Sequence, residues 1–358
     1  MEYYVFVSND CNLNCSYCSI LIDSAKYDIP LEPNYNVENL KEFISRMQEY
    51  HNDEYADIIF FGGEPTLNFN FIEMVIVLFQ QIDKYTIRYM LHTNGLLLNE
   101  VPKKILQHLN AIMVSINYSC LPKCNLFDGY FNKIVCNIKY IKSHKNIPII
   151  GRLTITEDTS LYISVMTLHP FFDYIYWQIE NCYHFKNFDV FFNSYSYDLK
   201  LLIDIWSDYL KYGIVLKLVP FTSCLNFIIK NKTPVVFACG YNRSMIYIQT
   251  NGKCYTCVED MLTEKNYIGS ISSIVEFDTF SLKNTGCNSC EFINICQGRC
   301  GRMHKEFSNT HILEYCKLNK VMFSYFRENK EKYISLLTNK SLTLDTDNFI
   351  LDYTEFIP

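Results

Sequence analysis

Through the first two thirds of the chain, short apolar runs alternate with longer stretches whose apolar residues stand three or four apart. The short runs predict strands near residues 2–7, 57–61, 87–92, 112–117, 149–155, 174–179 and 214–219. Between them, Val37–Tyr50, Phe71–Lys84, Val101–Leu109, Phe127–Ser143 and Tyr197–Tyr212 each carry one apolar face, the pattern of an amphipathic helix. Asp57-Ile58-Ile59-Phe60-Phe61 is nearly continuous in apolar residues, as a strand covered on both faces must be. Repeated strand–helix units build a parallel sheet, so the class is α/β and six or seven units make a barrel or partial barrel.

The alternation stops near Asn231-Lys232-Thr233-Pro234. From Cys239 to Cys316 there are short β signals, turns and eight cysteines, followed by a helical pattern over Lys317–Leu337. Ser244–Gln249 and Lys253–Thr256 flank Thr250-Asn251-Gly252, a hairpin turn because Asn-Gly readily takes positive φ. The division expected is a barrel over 1–230, a cysteine-rich domain over 231–337 and a tail over 338–358 without a clear period.

Composition excludes several classes. A chain of 358 residues suggests two domains at about 150 residues each and buries enough surface to need no disulfides. Met1-Glu2-Tyr3-Tyr4-Val5-Phe6-Val7 lacks a basic region and a cleavage site, and no run of about 18 uncharged apolar residues occurs, so a cytoplasmic chain with no membrane span is expected. With 32 Lys and Arg against 38 Asp and Glu the net charge is −6, which opposes a nucleic-acid partner. In a reducing compartment, 16 cysteines point to metal rather than disulfides.

Cys11-Asn12-Leu13-Asn14-Cys15-Ser16-Tyr17-Cys18 follows the first expected strand, so three thiols share the loop at its C-terminal end, where barrel enzymes place their chemistry. Three thiolates can hold three irons of a 4Fe-4S cluster and leave the fourth open, whereas structural zinc takes a closed four-ligand shell. A zinc loop, or three unrelated buried cysteines, is the alternative.

The Cys-x3-Cys-x2-Cys spacing, with Tyr17 before the last cysteine, resembles the signature of the radical SAM enzymes. Gly62-Gly63-Glu64-Pro65, ending the second strand, is similar to a family segment that meets the amino group of S-adenosylmethionine. Two glycines permit close backbone approach, and the carbonyls and carboxylate suit an ammonium group. Thr93-Asn94-Gly95 also resembles the family. The resemblance further implies ribose contacts from Ser115 and Asn117, a contact from Arg152 to the cofactor carboxylate, and Gln178 and Glu180 as weaker members of the same pocket. It implies a partial (β/α)6 TIM-like radical SAM barrel, in which one electron from a flavodoxin- or ferredoxin-type reductant cleaves S-adenosylmethionine to a 5′-deoxyadenosyl radical that takes hydrogen from the substrate.

The later cysteines read Cys287-x2-Cys290-x5-Cys296-x3-Cys300 with Cys316 beyond, and Cys239-x12-Gly252-x4-Cys257 upstream. They resemble the SPASM extension, a β-hairpin plus helices carrying two auxiliary 4Fe-4S clusters. By that resemblance Cys287, Cys290, Cys296 and Cys316 hold the outer cluster, and Cys239, Cys257 and Cys300 the inner one. Cys254 on the hairpin is the expected fourth inner ligand, and an open iron is the alternative. Paired zinc-ribbon sites are the alternative. Cys120, Cys124, Cys136, Cys182 and Cys224 remain, of which Cys136 reads as a small buried hydrophobe on a helix. The other four fall just beyond strands four, six and seven, and a thiol there would return a hydrogen atom to a substrate radical, as family epimerases require. Cys182 and Cys224 are the candidates.

The resemblance to the SPASM-bearing enzymes implies a peptide or protein substrate, since most characterised relatives of that kind act on one. The sulfatase-maturing members have a basic aspartate directly after the cysteine equivalent to Cys257, but here Cys257 is followed by Val258-Glu259-Asp260, so Glu259 or Asp260 would have to serve. The chain begins directly in its first strand, so leader recognition is expected from the barrel rim, the tail or a separate leader-binding protein. The 28 Tyr and 26 Phe suit a core and a peptide groove. The expectation is a maturase of a precursor peptide or protein that makes a thioether or C–C crosslink. Epimerisation, formylglycine formation, and a non-catalytic iron–sulfur or zinc protein are the alternatives.

Overall fold

Alternation along β1 (Glu2–Ser8) sets up two layers. Tyr3, Val5 and Val7 are buried, and Tyr3 donates a 2.9 Å hydrogen bond to Gln48 on α1 (Val37–His51), so this face looks at the helices. Tyr4 and Phe6 point the other way. The computed structural model describes all residues except 16, 17, 19, 21–28, 117–125, 183, 231–236, 238, 260, 262–264, 274, 278–285 and 345–357, and it leaves out the side chains of 126–128. Tyr17, Asn117, Cys120, Cys124 and Asp260 therefore lie outside the described residues.

The elements continue as β2 (Tyr55–Gly62), α2 (Phe69–Phe79), β3 (Thr86–Thr93), α3 (Lys103–Leu106), β4 (Leu109–Ser115), α4 (Leu126–His144), β5 (Ile149–Ile155), α5 (Leu161–Leu168), β6 (Tyr174–Ile179), α6 (Phe188–Lys211) and α7 (Val219–Lys230). Then follow β7 (Met245–Ile248), β8 (Lys253–Tyr255), β9 (Tyr267–Ser270), α8 (Ile293–Cys296), α9 (Gly301–Glu306), α10 (Asn309–Glu328) and α11 (Lys330–Asn339).

Two compact units divide these elements. The first holds Met1–Ser115, Cys120–Ile149 and Asn242–Thr279, and its strands run in the order β4-β3-β2-β1-β7-β8-β9. β1 pairs in parallel with β2 and, on its other edge, with β7, while β8 and β9 turn back antiparallel. The expected hairpin thus extends the parallel sheet from the edge of β1. Asn36 caps α1 by accepting from Glu38 N, and Asn52 ends it in the left-handed region at φ 52°.

The second unit holds Ile116–Ser119, Ile150–Tyr241 and Phe280–Pro358. There β5 and β6 pair in parallel from Ile150 with Tyr174 to Ile155 with Ile179. The strand expected near 214–219 does not form. Leu218 makes an isolated bridge to Ile175, and α7 starts at Val219. Pro220 explains the switch: a proline in the first turn of a helix loses no hydrogen bond, and its fixed φ suits that turn. Buried Trp177, Trp206, Phe221, Phe326 and Tyr333 form this unit's aromatic core, with Trp177 and Phe221 edge to face at 5.3 Å. Cys136 is exposed on α4, which corrects the expectation of a buried hydrophobe.

Candidate active site

Three turns meet at the C-terminal ends of β1, β2 and β3. The cysteine loop leaves β1 through Asp10, whose carboxylate accepts from Cys11 N at 2.9 Å, and Cys11 Sγ accepts from Leu13 N at 3.4 Å. Cys18 N donates to Cys15 O at 3.1 Å, so the last two cysteines share one tight turn. The glycine segment lies against the start of this loop, with Gly63 N donating to Ser8 O and Glu64 N to Asp10 O, both at 2.8 Å. No larger residue fits: a Cβ on Gly62, which holds φ 129°, would stand 2.2 Å from Ser8 O, and one on Gly63 would stand 2.3 Å from Asp10 O.

Glu64 is fully buried. One carboxylate oxygen accepts from Thr66 N at 3.1 Å, Thr66 Oγ1 at 2.6 Å and Thr93 Oγ1 at 2.6 Å, and the other accepts from Asn94 N at 2.8 Å. Burial raises its pKa, and these donors oppose the rise. Asn94 reaches across to the cysteine loop, where its amide donates to Asn12 Oδ1 at 2.6 Å. The Glu64 carboxylate therefore binds turn to turn, and the segment approaches the loop through its backbone.

On the face of the sheet away from α1, a row of rings crosses the strands. Tyr247 stacks on Tyr4 at 4.5 Å, Tyr4 meets Phe61 edge to face at 5.5 Å, and Phe61 lies 4.9 Å from His92. His92 Nε2 and the Ser115 hydroxyl are 2.8 Å apart, so Ser115 ends this row. The sequence reading missed His92, whose one signal is its place two residues before Asn94.

In the second unit, Arg152 hydrogen-bonds to Gln178 Oε1 on the neighbouring strand, so two of the expected cofactor contacts are partners. At the end of β6, the Tyr315 hydroxyl donates to Glu180 O, accepts from Cys182 N at 3.2 Å and stands 3.6 Å from Cys182 Sγ. His311 Nε2 contacts Cys182 O at 2.7 Å, so α10 clamps this turn with residues one helical turn apart. Burial pushes both the Glu180 carboxyl and the Cys182 thiol up. Cys224 is wholly buried on α7, and burial alone pushes its thiol far up.

Cys287, Cys290, Cys296 and Cys316 come from a short turn, a loop, α8 and α10. They lie in each other's fields: burial, then Cys316 and Cys287, push the Cys296 thiol up to about 12, and burial, Cys287 and Cys290 raise Cys316 while Lys320 and Arg299 oppose. The Cys239 segment sits beside Cys300, since Phe237 N donates to Gln297 O at 3.3 Å and a Cβ on Gly301 would strike the Tyr241 ring. Cys254 has a different setting. It pairs with Ile248, which pairs with Val5, so it points to the α1 side of the sheet, is fully buried, and has Tyr3 and Tyr35 as its titratable neighbours. Glu259 O accepts from Asn266 Nδ2 at 3.0 Å.

The cysteine loop fits an iron–sulfur cluster by its donors. Burial raises the Cys11 thiol to about 11, with the Leu13 N–H opposing the rise and the Glu64, Cys18 and Cys15 fields adding to it, and a bound cation would bring it down. Among the described residues, no group of three or more His, Cys, Asp or Glu side chains is gathered tightly enough to hold a metal ion. No helix among the described residues is long and apolar enough to cross a membrane.

Residues 5–155 match the model of the Radical SAM superfamily. The chain is 24% identical over 366 residues to the radical SAM cyclopropyl synthase TigE of Paramaledivibacter caminithermalis, covering 91% of this chain and 73% of that protein. It is 25% identical over 357 residues to a cysteine-type anaerobic sulfatase-maturating enzyme of Clostridium perfringens, covering 89% and 94%. A solved structure of native anSMEcpe with bound AdoMet and Cp18Cys peptide has the same fold, at TM-score 0.71 and 20% identity over 95% of this chain and 99% of that one. The cysteine-rich C-terminal region is consistent with a SPASM-like domain, and the family implies S-adenosylmethionine and a 4Fe-4S cluster as cofactors. With its three-cysteine loop, glycine turn and parallel sheet in place, residues 5–155 are a Radical SAM domain, and the chain is an enzyme.

Proposed function

We propose that this enzyme is a cytoplasmic peptide maturase that oxidises a precursor peptide or protein to form a thioether or C–C crosslink. The observation that carries the reading is Val258, where a base would follow Cys257 in a sulfatase maturase. Support comes from relatives named as maturases, among them the sporulation killing factor maturation protein SkfB of Bacillus subtilis, 29% identical over 167 residues, 44% of this chain and 36% of that protein.

Cys11, Cys15 and Cys18 are proposed to hold the cluster that opens the cofactor. When bound, S-adenosylmethionine and that cluster supply a 5′-deoxyadenosyl radical. The chain's part is to orient the cofactor with Gly62, Gly63, Pro65, Asn94, Ser115 and Arg152 and to exclude water. Tyr17 and Asn117 join them on the sequence resemblance alone. Cys287, Cys290, Cys296 and Cys316 are proposed for the outer auxiliary cluster, and Cys239, Cys257 and Cys300 for the inner one. The buried, helix-facing setting of Cys254 favours an inner cluster with an open fourth position. A flavodoxin- or ferredoxin-type protein is the proposed reductant, a separate leader-binding protein is a proposed partner, and the domain limits remain proposed at residues 230 and 337.

Epimerisation is the second reading, and the contact between Cys182 and Tyr315 favours it. The test is anaerobic reconstitution with peptides encoded next to the gene. A product about 2 Da lighter per modification, formed with 5′-deoxyadenosine, supports crosslinking. An unchanged mass with solvent deuterium at an α-carbon supports epimerisation, and a formylglycine product revives sulfatase maturation.

A further inference from the structure

At the base of the cysteine loop, the hairpin turn between β7 and β8 is bonded into the chain on both sides of that loop. Asn9, two residues before Cys11, donates from Nδ2 to Thr250 Oγ1 at 2.7 Å and to Pro30 O at 2.8 Å. Thr250 Oγ1 donates to the same Pro30 carbonyl at 2.6 Å. The backbone repeats the link, with Asn9 N donating to Leu31 O at 2.7 Å and Asn34 N to Thr250 O at 2.9 Å. Asn9 is 8% exposed and Thr250 and Gln249 are wholly buried, so water does not compete for these bonds. Residues 9, 30 and 250 are thus fastened at one point, although 241 positions separate Asn9 from Thr250.

We propose that Asn9 and Thr250 are positioning residues for the three-cysteine loop: together they form a latch through which the hairpin carrying Cys254 and leading to Cys257 fixes both ends of that loop. Several observations carry this. Asn9 precedes the three cysteines in the chain and Pro30 follows them, and both are held by one threonine hydroxyl. Thr250 is itself held, its N–H donating to Gln249 Oε1 at 2.7 Å within a turn closed by Gly252 N to Gln249 O at 2.8 Å. Among the described residues, Asn9 Oδ1 and Gln249 Nε2 have no hydrogen-bond partner. On this reading, ordering the hairpin orders the start of the loop through Asn9. The spectroscopic arm of the test rests on the cluster reading above, and the chemical arm does not.

The test compares Thr250→Val, which keeps the shape and removes the hydroxyl, with Thr250→Ser, which keeps the hydroxyl. In the metal-free chain, alkylation of Cys11, Cys15 and Cys18 by iodoacetamide is followed by mass spectrometry, with Cys287 and Cys290 as internal references. Thr250→Val should raise the rates at the first three cysteines about five-fold or more over the references, and Thr250→Ser should restore the wild-type pattern. In reconstituted protein, the EPR signal of the reduced first cluster should shift less on adding S-adenosylmethionine in Thr250→Val than in wild type. Equal rates and equal spectra in a folded Thr250→Val chain overturn the proposal. If the wild type takes up no iron, the cluster reading fails while the alkylation result still decides the latch. Should Thr250→Val not fold, hydrogen exchange on the wild type replaces it. The amides of Asn9, Asn34 and Gly252 must then exchange together, and independent rates overturn the latch.

Discussion

The Thr93 hydroxyl donates a 2.6 Å hydrogen bond to a Glu64 oxygen, joining the turn after β2 to the turn after β3. Glu64 also serves Thr66 and Asn94, and Asn94 carries the chain of contacts on to Asn12 beside Cys11. This buried acidic residue braces the proposed cofactor site through Thr66, Thr93 and Asn94. In Glu64→Gln, an amide NH2 replaces an acceptor that takes up Thr93 or Asn94, and one buried donor loses its partner. The expected cost is about 1–3 kcal/mol of folding stability, read by urea unfolding, together with weaker binding of S-adenosylmethionine by calorimetry. Thr93→Val should show a smaller loss of the same kind. Unchanged stability in both variants would remove the strut.

Much of this site was legible in advance, and the reasons for the exceptions are physical. The cysteine loop and the glycine turn are local patterns, so their positions at strand ends followed from the sequence. Which side of a sheet a residue faces is set by register, and Cys254 shows the limit. On β8, a single position decides between the α1 side and the side carrying Tyr4 and Tyr247. The seventh strand failed because Pro220 suits a helix start as well as it suits the end of a strand. Tyr315, His311 and Thr250 act on residues more than a hundred positions away, and no local signal marks such partners.

Cys254 gives a direct test of the proposed inner cluster. The buried thiol lies among Tyr3, Tyr35 and Ile248, so Cys254→Ala should leave the iron content unchanged and cost about 1 kcal/mol for the space vacated. Iron analysis of reconstituted protein checks this against the roughly twelve irons that three cubane clusters require. Cys296→Ala serves as the contrasting variant and should lower the count. A loss of about four irons in Cys254→Ala would make Cys254 a ligand after all.

Lys145 offers a stability test with a defined pH sign. Its ammonium donates to the carbonyls of Leu106, Gln107 and Leu109 at 3.1, 2.8 and 2.5 Å, closing the end of α3. Burial lowers its pKa below 10.5. The unfolded chain therefore holds this proton more tightly, and the stability contributed by Lys145 rises with pH between the folded pKa and 10.5. Lys145→Met should be less stable than wild type, with a gap that widens as the pH rises towards 10.5. Thermal melts across this range check it, and a gap that narrows would contradict the assignment.

The two spare thiols of the second unit separate by environment. Cys224 is sealed in α7, where burial suppresses its thiolate, while Cys182 is half-buried at a strand end beside the Tyr315 hydroxyl. A hydrogen donor must reach a substrate radical and then regain a proton from solvent and an electron from a one-electron reductant, and the half-buried Cys182 is better placed for this than a sealed thiol. If the product is an epimer, Cys182→Ser should abolish deuterium uptake from heavy water, and Cys224→Ser should leave it intact. Tyr315→Phe should slow that uptake, because it removes the hydroxyl that contacts both Cys182 N and Sγ. If the product is a crosslink, neither serine variant should alter its mass or carry solvent deuterium into it. Mass spectrometry of the peptide after turnover in heavy water distinguishes these outcomes. Deuterium lost in Cys224→Ser but kept in Cys182→Ser would show that burial is a poor guide to which thiol meets the radical.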